Sequence, residues 1–357
     1  MYLNKAWWAP AVHVTEEREY EWPYINKELG IRLFYGGPQE TVQLERIRTV
    51  GSAIVFIDSS INNLDFLYDF PKRSVDIFFV SDETYSAAKT VKLLFKRSTR
   101  SLYRDYPIHS LRNFWRWPGT NLRALTRAIR IGINPTGQVR AALAGLFIVL
   151  KQVIILIAAK LTRKPIKSLP LGYTGGFARE YDRDFQLEKF DSVIDHSLAN
   201  SRKLENTKKR DSVFFTGQKG KYERQLMLLE AKKMGLDIGP IHLTFGGPTE
   251  SCLREKAIYE NFVGLRDNTY SLVPPGNYSP ESFRLMESLV LMSFPLMPKY
   301  VISNPLYSSP IDNTWEEYKS DFHADEMPKI YNSHVIISLL RKIKDEILDI
   351  KTELGLP

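Results

Sequence analysis

The chain of 357 residues is long enough for two domains of common size, each with its own core. Its apolar content of 43% and charged content of 25% are typical of a folded protein, and its formal net charge of +8 favours acidic partners: nucleotide diphosphates, an anionic membrane surface or nucleic acid. A single cysteine, Cys252, excludes an intramolecular disulfide and a four-cysteine metal site, and it suits a reducing compartment.

The first residues lack a basic region followed by an apolar core, so we expect no signal peptide and a cytoplasmic protein. Residues 31–35, 53–57 and 75–80 predict strands, and the segments around them predict helices. Strands that alternate with helices at this spacing are typical of a parallel sheet with helices on its faces. We therefore predict a Rossmann-like domain over residues 1–178.

Two adjacent carboxylates follow the strand predicted at 75–80. Asp82 and Glu83 lie directly after it, and ligands of open α/β sheets gather at the carboxyl ends of strands. Either side chain is a candidate general base there. The alternative is that Asp82 caps the helix that follows, as aspartate commonly does.

Residues 96–130 are basic and aromatic, and residues 141–159 are strongly apolar. The apolar segment has nearly the length of a membrane span, but Lys151 and Gln152 near its middle make a crossing costly. We predict a helix that lies on an anionic membrane, where flanking basic residues meet the lipid headgroups. These basic residues are Arg140, Lys160, Arg163 and Lys164. A helix buried in the core of the first domain is the alternative.

Residues 179–210 are rich in charged and polar side chains and predict a linker between domains. The Asp-x-Asp sequence of Asp182 and Asp184 has a spacing used by some metal sites, but in a charged linker chance explains it better, and we expect no metal.

The second predicted domain, residues 211–333, opens with an apolar strand and a glycine turn at Gly217. Lys219 and Arg224 follow this turn. Backbone amides in such a turn, together with these two cations, could hold a diphosphate.

Residues 270–298 predict a strand, a tight loop, a helix and a second strand. The first apolar run stops at a Pro-Pro-Gly sequence, and Ser279 is placed to cap a helix that begins at Pro280. Free N–H groups at a helix start beside a glycine loop form a natural phosphate site. Arg284 and Glu287 lie on one face of this helix, where a guanidinium suits a diphosphate and a carboxylate suits sugar hydroxyls.

The last segment, residues 334–357, predicts an amphipathic closing helix that crosses back over the first domain. Its apolar residues recur at helical spacing, at Ile336, Leu339, Leu340, Ile343, Ile347 and Ile350.

The stretch 270–298 resembles the donor-binding motif of exostosin-like glycosyltransferases. The matching residues are, in order, Pro275, Gly276, Ser282, Phe283, Arg284, Glu287, Leu289 and Pro295. One position departs from the pattern, because Met292 stands where the family commonly has a glycine near the helix end. The alternative is an ordinary strand–helix unit with a surface pair of Arg284 and Glu287.

The resemblance implies a GT-B architecture, in which two Rossmann-like domains face a central cleft and the second binds a nucleotide sugar. It implies that Arg284 neutralises the diphosphate, that Glu287 accepts hydrogen bonds from the ribose, and that transfer to a glycan or lipid-linked glycan proceeds with inversion and without a metal or other cofactor. Surface polysaccharide or glycoconjugate biosynthesis is the setting it suggests. The predicted donor-binding residues are Gly217, Lys219, Arg224, Pro275, Gly276, Asn277, Ser279, Ser282, Phe283, Arg284 and Glu287.

Two other classes of protein fit parts of the sequence. A nucleic-acid-binding protein would explain residues 96–130, but the chain contains no recognisable module of that kind, so we expect no nucleic-acid partner. A basic, membrane-associated scaffold without catalysis would need the apolar segment but no nucleotide. Binding of a nucleotide sugar separates both classes from a glycosyltransferase.

Overall fold

The structure is a computed structural model. It describes residues 11–14, 27–29, 34–35, 53–58, 64–80, 87–104, 150–151, 153–168, 172–188, 191–206, 210–218, 223–236, 238, 241–242, 251–274, 282–298, 315–322 and 331–355.

The first half of the described chain forms a parallel sheet of six strands. They are β1 (Ala11–Val14), β2 (Phe34–Tyr35), β3 (Ala53–Asp58), β4 (Val75–Val80), β5 (Thr99–Arg104) and β6 (Ile166–Ser168). Their order across the sheet is β2-β1-β3-β4-β5-β6, and each neighbouring pair is parallel. The predicted parallel α/β arrangement is therefore confirmed.

The second half contributes two smaller parallel sheets among the described residues. Their strands are β7 (Arg210–Phe214), β8 (Gly217–Gln218), β9 (Ile241–His242), β10 (Asn268–Leu272) and β11 (Phe294–Leu296). Strand β10 lies between β11 and β7, and β8 pairs with β9. This arrangement of parallel strands and helices is compatible with a Rossmann-like fold.

Helices connect and cover the strands. In chain order they are α1 (Ala87–Phe95), α2 (residues 150–162, described except for 152), α3 (Gly175–Phe185), α4 (Val193–Ala199), α5 (Ser201–Glu205), α6 (Glu223–Lys233), α7 (Ser251–Asp267), α8 (Phe283–Val290), α9 (Trp315–Asp321) and α10 (Ser333–Leu354), with a 3-10 helix at Asp65–Asp69.

Successive residues of a strand point to opposite faces of the sheet. In β4 the neighbours Ile77 and Phe78 are both buried, so both faces of the sheet are covered there. Ile77 packs with α1 and α2 on one face, whereas its neighbour Phe78 stacks on Tyr103 on the other, with ring centroids 4.7 Å apart. The cluster that contains Phe78 and Tyr103 continues through the apolar residues of β10, α8 and α10. The two halves of the chain therefore share one core.

Where the structure describes the predicted linker, residues 179–210, most of it is helical. It holds the rest of α3 together with α4 and α5, and Tyr181, Val193, Ile194 and Leu204 are buried in the shared core. Asp182 accepts a hydrogen bond from the buried Lys27 at 2.8 Å, and Asp184 pairs with Arg266 at 2.9 Å. Among the described residues, no three His, Cys, Asp or Glu side chains are grouped as metal ligands.

The buried carboxylate of Glu28 joins the N-terminal region to these helices. It accepts hydrogen bonds from the hydroxyls of Tyr173 at 2.7 Å and Ser192 at 2.6 Å, and from the backbone N–H of Val193 at 3.1 Å. Burial raises the pKa of Glu28, although the hydrogen bonds from Ser192 and Tyr173 oppose this rise. Such a buried carboxylate fixes the position of α4 because it needs all of these donors.

The closing helix α10 is present over Ser333–Leu354 and reaches the first sheet. Its N-terminus is capped by Asn332, which accepts from the N–H of His334, and it ends at Gly355 in a left-handed conformation. The hydroxyl of Tyr103 donates to Glu353 at 3.3 Å, and Lys167 forms an ion pair with the same carboxylate. The six apolar residues predicted to face the core are all buried.

The apolar segment predicted at 141–159 is described from residue 150 onward, and there it belongs to α2. Ile155 and Ala158 face the core of the first sheet, as the core interpretation of this segment expects. Among the described residues, no helix is long and apolar enough to cross a membrane.

Lys164 was predicted to meet lipid headgroups, but this prediction is wrong. The side chain of Lys164 is buried, and its Nζ donates to the carbonyls of Leu94 and Lys96. Arg140 lies outside the described residues.

Candidate functional site

Helix α8 begins at Phe283, three residues later than predicted. Ser282 occupies the N-cap position with extended backbone, but its hydroxyl makes no capping hydrogen bond. The predicted cap, Ser279, lies outside the described residues. Arg284 is therefore the second residue of α8, in the turn where free backbone N–H groups favour an anion.

The guanidinium of Arg284 is held against the glycine turn that follows β7. Its Nε donates to the carbonyl oxygen of Thr216 at 2.9 Å, and its Nη2 donates to the same oxygen. The guanidinium carbon lies 4.8 Å from the ring centre of Phe215. Both of these partners are neutral, so they orient the cation without neutralising it.

Gly217 leaves the space that Arg284 fills. Its φ of +140° is a conformation that other residues rarely adopt, and a Cβ atom there would overlap Nη2 of Arg284. The glycine turn and the helix start, both predicted to bind the donor, are thus in direct contact.

We expect Gly217→Ala to displace the guanidinium of Arg284 and to abolish the binding of nucleoside diphosphates. The strained φ should also cost about 1–3 kcal/mol of unfolding free energy. Gly235→Ala is the matched control, because Gly235 also has a positive φ, of +77°, but nothing lies within 4 Å of a Cβ there. Thermal unfolding with and without nucleoside diphosphate measures both effects. Unaltered binding by Gly217→Ala, or an equal loss in Gly235→Ala, contradicts this prediction.

A second, buried arginine is near enough to Arg284 to be affected by its charge. Arg224, near the start of α6, is 8% exposed, and burial together with the charge of Arg284 lowers its pKa to about 9. Burial likewise lowers the pKa of Arg284, although the charge of Glu287 opposes this change. The protein thus holds two like charges in an environment that disfavours both, and a bound anion would relieve that cost.

Glu287 is 3% exposed and accepts three hydrogen bonds from the protein. Its Oε1 accepts from the backbone N–H of Thr174 at 3.2 Å and from the Thr174 hydroxyl at 2.9 Å, and its Oε2 accepts from Nδ2 of Asn261 at 3.1 Å. A carboxylate has about four lone-pair positions, so most of its capacity is used. Glu287 therefore ties α8 to α7 and to the cap of α3, rather than facing a ligand with an open carboxylate.

Sequence reasoning did not connect Glu287 with Thr174 or Asn261. The hydroxyl of Thr174 also accepts from the N–H of Phe177 as the cap of α3. Asn261 lies within the long helix α7, and the sequence does not indicate which residue its side chain contacts. Both contacts are long-range and depend on how the helices pack.

The other predicted site residues divide between described and undescribed parts of the chain. Ser282 is buried, and Phe283 is partly buried at the first position of α8. The remaining residues lie outside the described residues, and their roles stay predictions. They are Asp82, Glu83, Lys219, Pro275, Gly276, Asn277 and Ser279.

Met292 adopts the conformation that a glycine would adopt there. It follows α8 with φ of +54°, its N–H donates to the carbonyl of Leu289 at 3.0 Å, and the N–H of Ser293 donates to the carbonyl of Ser288 at 2.9 Å. This pair of hydrogen bonds is the Schellman motif, whose left-handed position usually holds glycine. The helix end at Met292 therefore has the left-handed conformation that glycine most often adopts.

No family model matches the chain, and no curated protein is significantly similar to it. The resemblance to exostosin-like glycosyltransferases accordingly rests on the residues of the motif.

Proposed function

We propose that the chain is a glycosyltransferase of GT-B architecture that moves a sugar from a nucleotide diphosphate to a glycan or lipid-linked glycan, with inversion and without a metal. The observation that carries the proposal is Arg284, held at the glycine turn of Gly217, together with the buried Arg224, whose pKa the charge of Arg284 helps to lower. Two cations that interact in this way suit a ligand with two adjacent phosphates. The resemblance to the exostosin-like motif is the reason to propose that this diphosphate ligand carries a sugar.

The proposed reaction is a single displacement. An acceptor hydroxyl oxygen attacks the anomeric carbon of the donor sugar while the bond from that carbon to the diphosphate oxygen breaks. The hydroxyl proton passes to a general base, and the electron pair of the broken bond leaves with the nucleoside diphosphate. Arg284 and Arg224 would stabilise the charge that this leaving group gains, and fixed donors do so without reorganisation.

Asp82 and Glu83 remain the proposed general base. They directly follow β4, whose parallel neighbours end at the same edge of the sheet. Transfer by Asp82→Asn and Glu83→Gln tests this role, and full activity of both variants would exclude it.

A panel of nucleoside diphosphates and nucleotide sugars, read by thermal unfolding, tests the function. We expect uridine or guanosine diphosphate sugars to stabilise the protein by about 2.7 kcal/mol at a free concentration of 100 times Kd. Radiolabelled transfer to water or to an added glycan acceptor then separates an enzyme from a binding protein. Stabilisation by inorganic phosphate alone, with none from any nucleotide, would contradict the proposal.

We expect Arg224→Met to make the free protein more stable and to remove its stabilisation by nucleoside diphosphate. The pKa of Arg224 is lower in the folded than in the unfolded chain, so its charge destabilises the fold below about pH 9 and this cost fades as the pH rises above that value. The gain at pH 7 should be about 0.5–2 kcal/mol. Arg202→Met, at an exposed position of α5, is the control. Lower stability of Arg224→Met, or retained nucleotide binding, contradicts this prediction.

A further inference from the structure

Helix α2 carries large apolar side chains on its outward face as well as on its inward face. The inward-facing Ile155 and Ala158 are 2% and 4% exposed. The outward-facing residues are Leu150, Ile154, Ile157 and Leu161, whose exposed fractions are 56%, 55%, 54% and 71%. They recur at intervals of four, three and four residues, so they form one line along the helix, here called the apolar stripe.

The apolar stripe is unusual for the outer surface of a helix that already buries its other face. A surface helix normally presents polar or charged side chains to water. Single exposed aliphatic residues are common, but a contiguous row of them marks a surface that binds a partner or a membrane.

Basic side chains from three chain segments gather at the C-terminal end of α2. Lys164 Nζ donates to the carbonyl of Leu94 at 2.6 Å, which places this end of the helix beside the turn after α1. The N–H of Arg73 donates to the carbonyl of Arg97 at 3.0 Å, which adds the segment before β4. The exposed cations, here called the basic cluster, are Lys72, Arg73, Arg97 and Arg163.

The positive charge of the basic cluster affects the pKa of the buried Lys164. Burial lowers the pKa of Lys164 to about 8, and the charge of Arg73 contributes. The nearby carboxylate of Asp65 pairs with Lys96, which is not a member of the cluster. Phe95, between Leu94 and Lys96, is 60% exposed and adds an apolar ring beside the cations.

We propose that the apolar stripe and the basic cluster dock the protein on a membrane surface that contains anionic lipids, with α2 lying in the plane of the headgroups. The aliphatic side chains would enter the boundary of the acyl chains, and the cations would pair with lipid phosphates. Nucleic acid would use the cations but not a row of aliphatic side chains. A second copy of the chain would bring the same positive charge to the contact.

This docking surface is independent of the arginine pair at Gly217. Membrane binding and nucleotide binding can therefore succeed or fail separately. The structure also changes the cations expected from the sequence, because Lys164 is buried, whereas Lys72, Arg73 and Arg97 reach the helix end from other segments.

Flotation of the full chain with phosphatidylcholine vesicles, with and without phosphatidylglycerol, tests the proposal. We expect binding to the phosphatidylglycerol vesicles at low salt and its loss at high salt. The variant Ile154→Gln/Ile157→Gln/Leu161→Gln should lower the partition coefficient roughly a hundredfold. The variant Lys72→Gln/Arg97→Gln should lower it roughly thirtyfold. Leu348→Gln, at a 44% exposed position of α10, should bind like the wild type.

Three outcomes overturn the proposal: wild-type protein that stays with the unbound fraction, a triple variant that floats like the wild type, or light scattering that shows a dimer which the triple variant dissociates. The last result would make the apolar stripe an interface between two copies. Unfolding midpoints check that the variants fold. If the triple variant does not fold, the charge variant decides, since its unchanged binding would also overturn the proposal.

Discussion

Arg284→Ala is expected to abolish sugar transfer and to weaken nucleoside diphosphate binding roughly 10- to 150-fold. The loss of one charge-assisted pair costs roughly 1.5–3 kcal/mol, and each 1.4 kcal/mol is about tenfold in Kd. Arg284→Lys should recover little, because a lysine keeps the charge but lacks the fork that holds the carbonyl of Thr216 and lies over Phe215.

Calorimetric titration with uridine and guanosine diphosphates measures this effect directly. Arg266→Ala is a suitable control, since Arg266 is a partly exposed arginine whose partners, Asp267 and Asp184, lie outside the site. Arg284→Ala should leave the unfolding midpoint of the free protein unchanged or higher, because burial disfavours the charge that it removes. Unchanged diphosphate affinity in Arg284→Ala would refute the assignment of this residue to the donor site.

The sequence was sufficient where a local pattern decides the structure. Alternating apolar runs predicted the parallel sheet, because buried parallel strands are continuous apolar segments. The spacing of Ile336 to Ile350 predicted α10 and its buried face, because that face must match the helical period. The contact between Gly217 and Arg284 is less local, yet each residue carried its own signal: a turn glycine and a cation at a helix start.

Composition alone did not reveal which polar residues make long-range contacts. Residues 179–210 have the composition of a linker, but Asp182 and Ser192 form long-range hydrogen bonds with Lys27 and Glu28, and the apolar minority forms the packed faces of short helices. Composition averages over a segment, whereas folding depends on which few positions are buried.

Met292 is a single residue whose backbone conformation the sequence did not reveal. Met292 stands where the exostosin-like motif commonly has a glycine, and its backbone is in the left-handed conformation, at φ of +54°. A non-glycine residue in that conformation costs of order 1 kcal/mol or more, which the complete burial of Met292 in the shared core can offset. The residue type alone could not reveal this conformation.

Glu287→Ala is expected to lower the unfolding free energy by about 2–5 kcal/mol, because it leaves the partly buried donors of Thr174 and Asn261 without their acceptor. Urea unfolding measures this loss, and Glu255→Ala, at an exposed position of α7, is the control. A loss below about 1 kcal/mol would show that the hydrogen bonds of Glu287 do not hold these elements together.

Glu287→Gln separates a positioning role from ribose recognition. The oxygen of the glutamine side chain can still accept a hydrogen bond from Thr174. Oδ1 of Asn261 is buried and has no hydrogen-bond partner among the described residues. If the Asn261 amide turns over, the NH₂ group of the glutamine can donate to this oxygen. We therefore expect a cost of only about 1 kcal/mol in unfolding free energy. Because the protein uses three of about four acceptor positions of Glu287, nucleoside diphosphate affinity should stay within about threefold of the wild type. A stable Glu287→Gln variant that binds a nucleoside diphosphate much more weakly would instead place the carboxylate on the ribose hydroxyls.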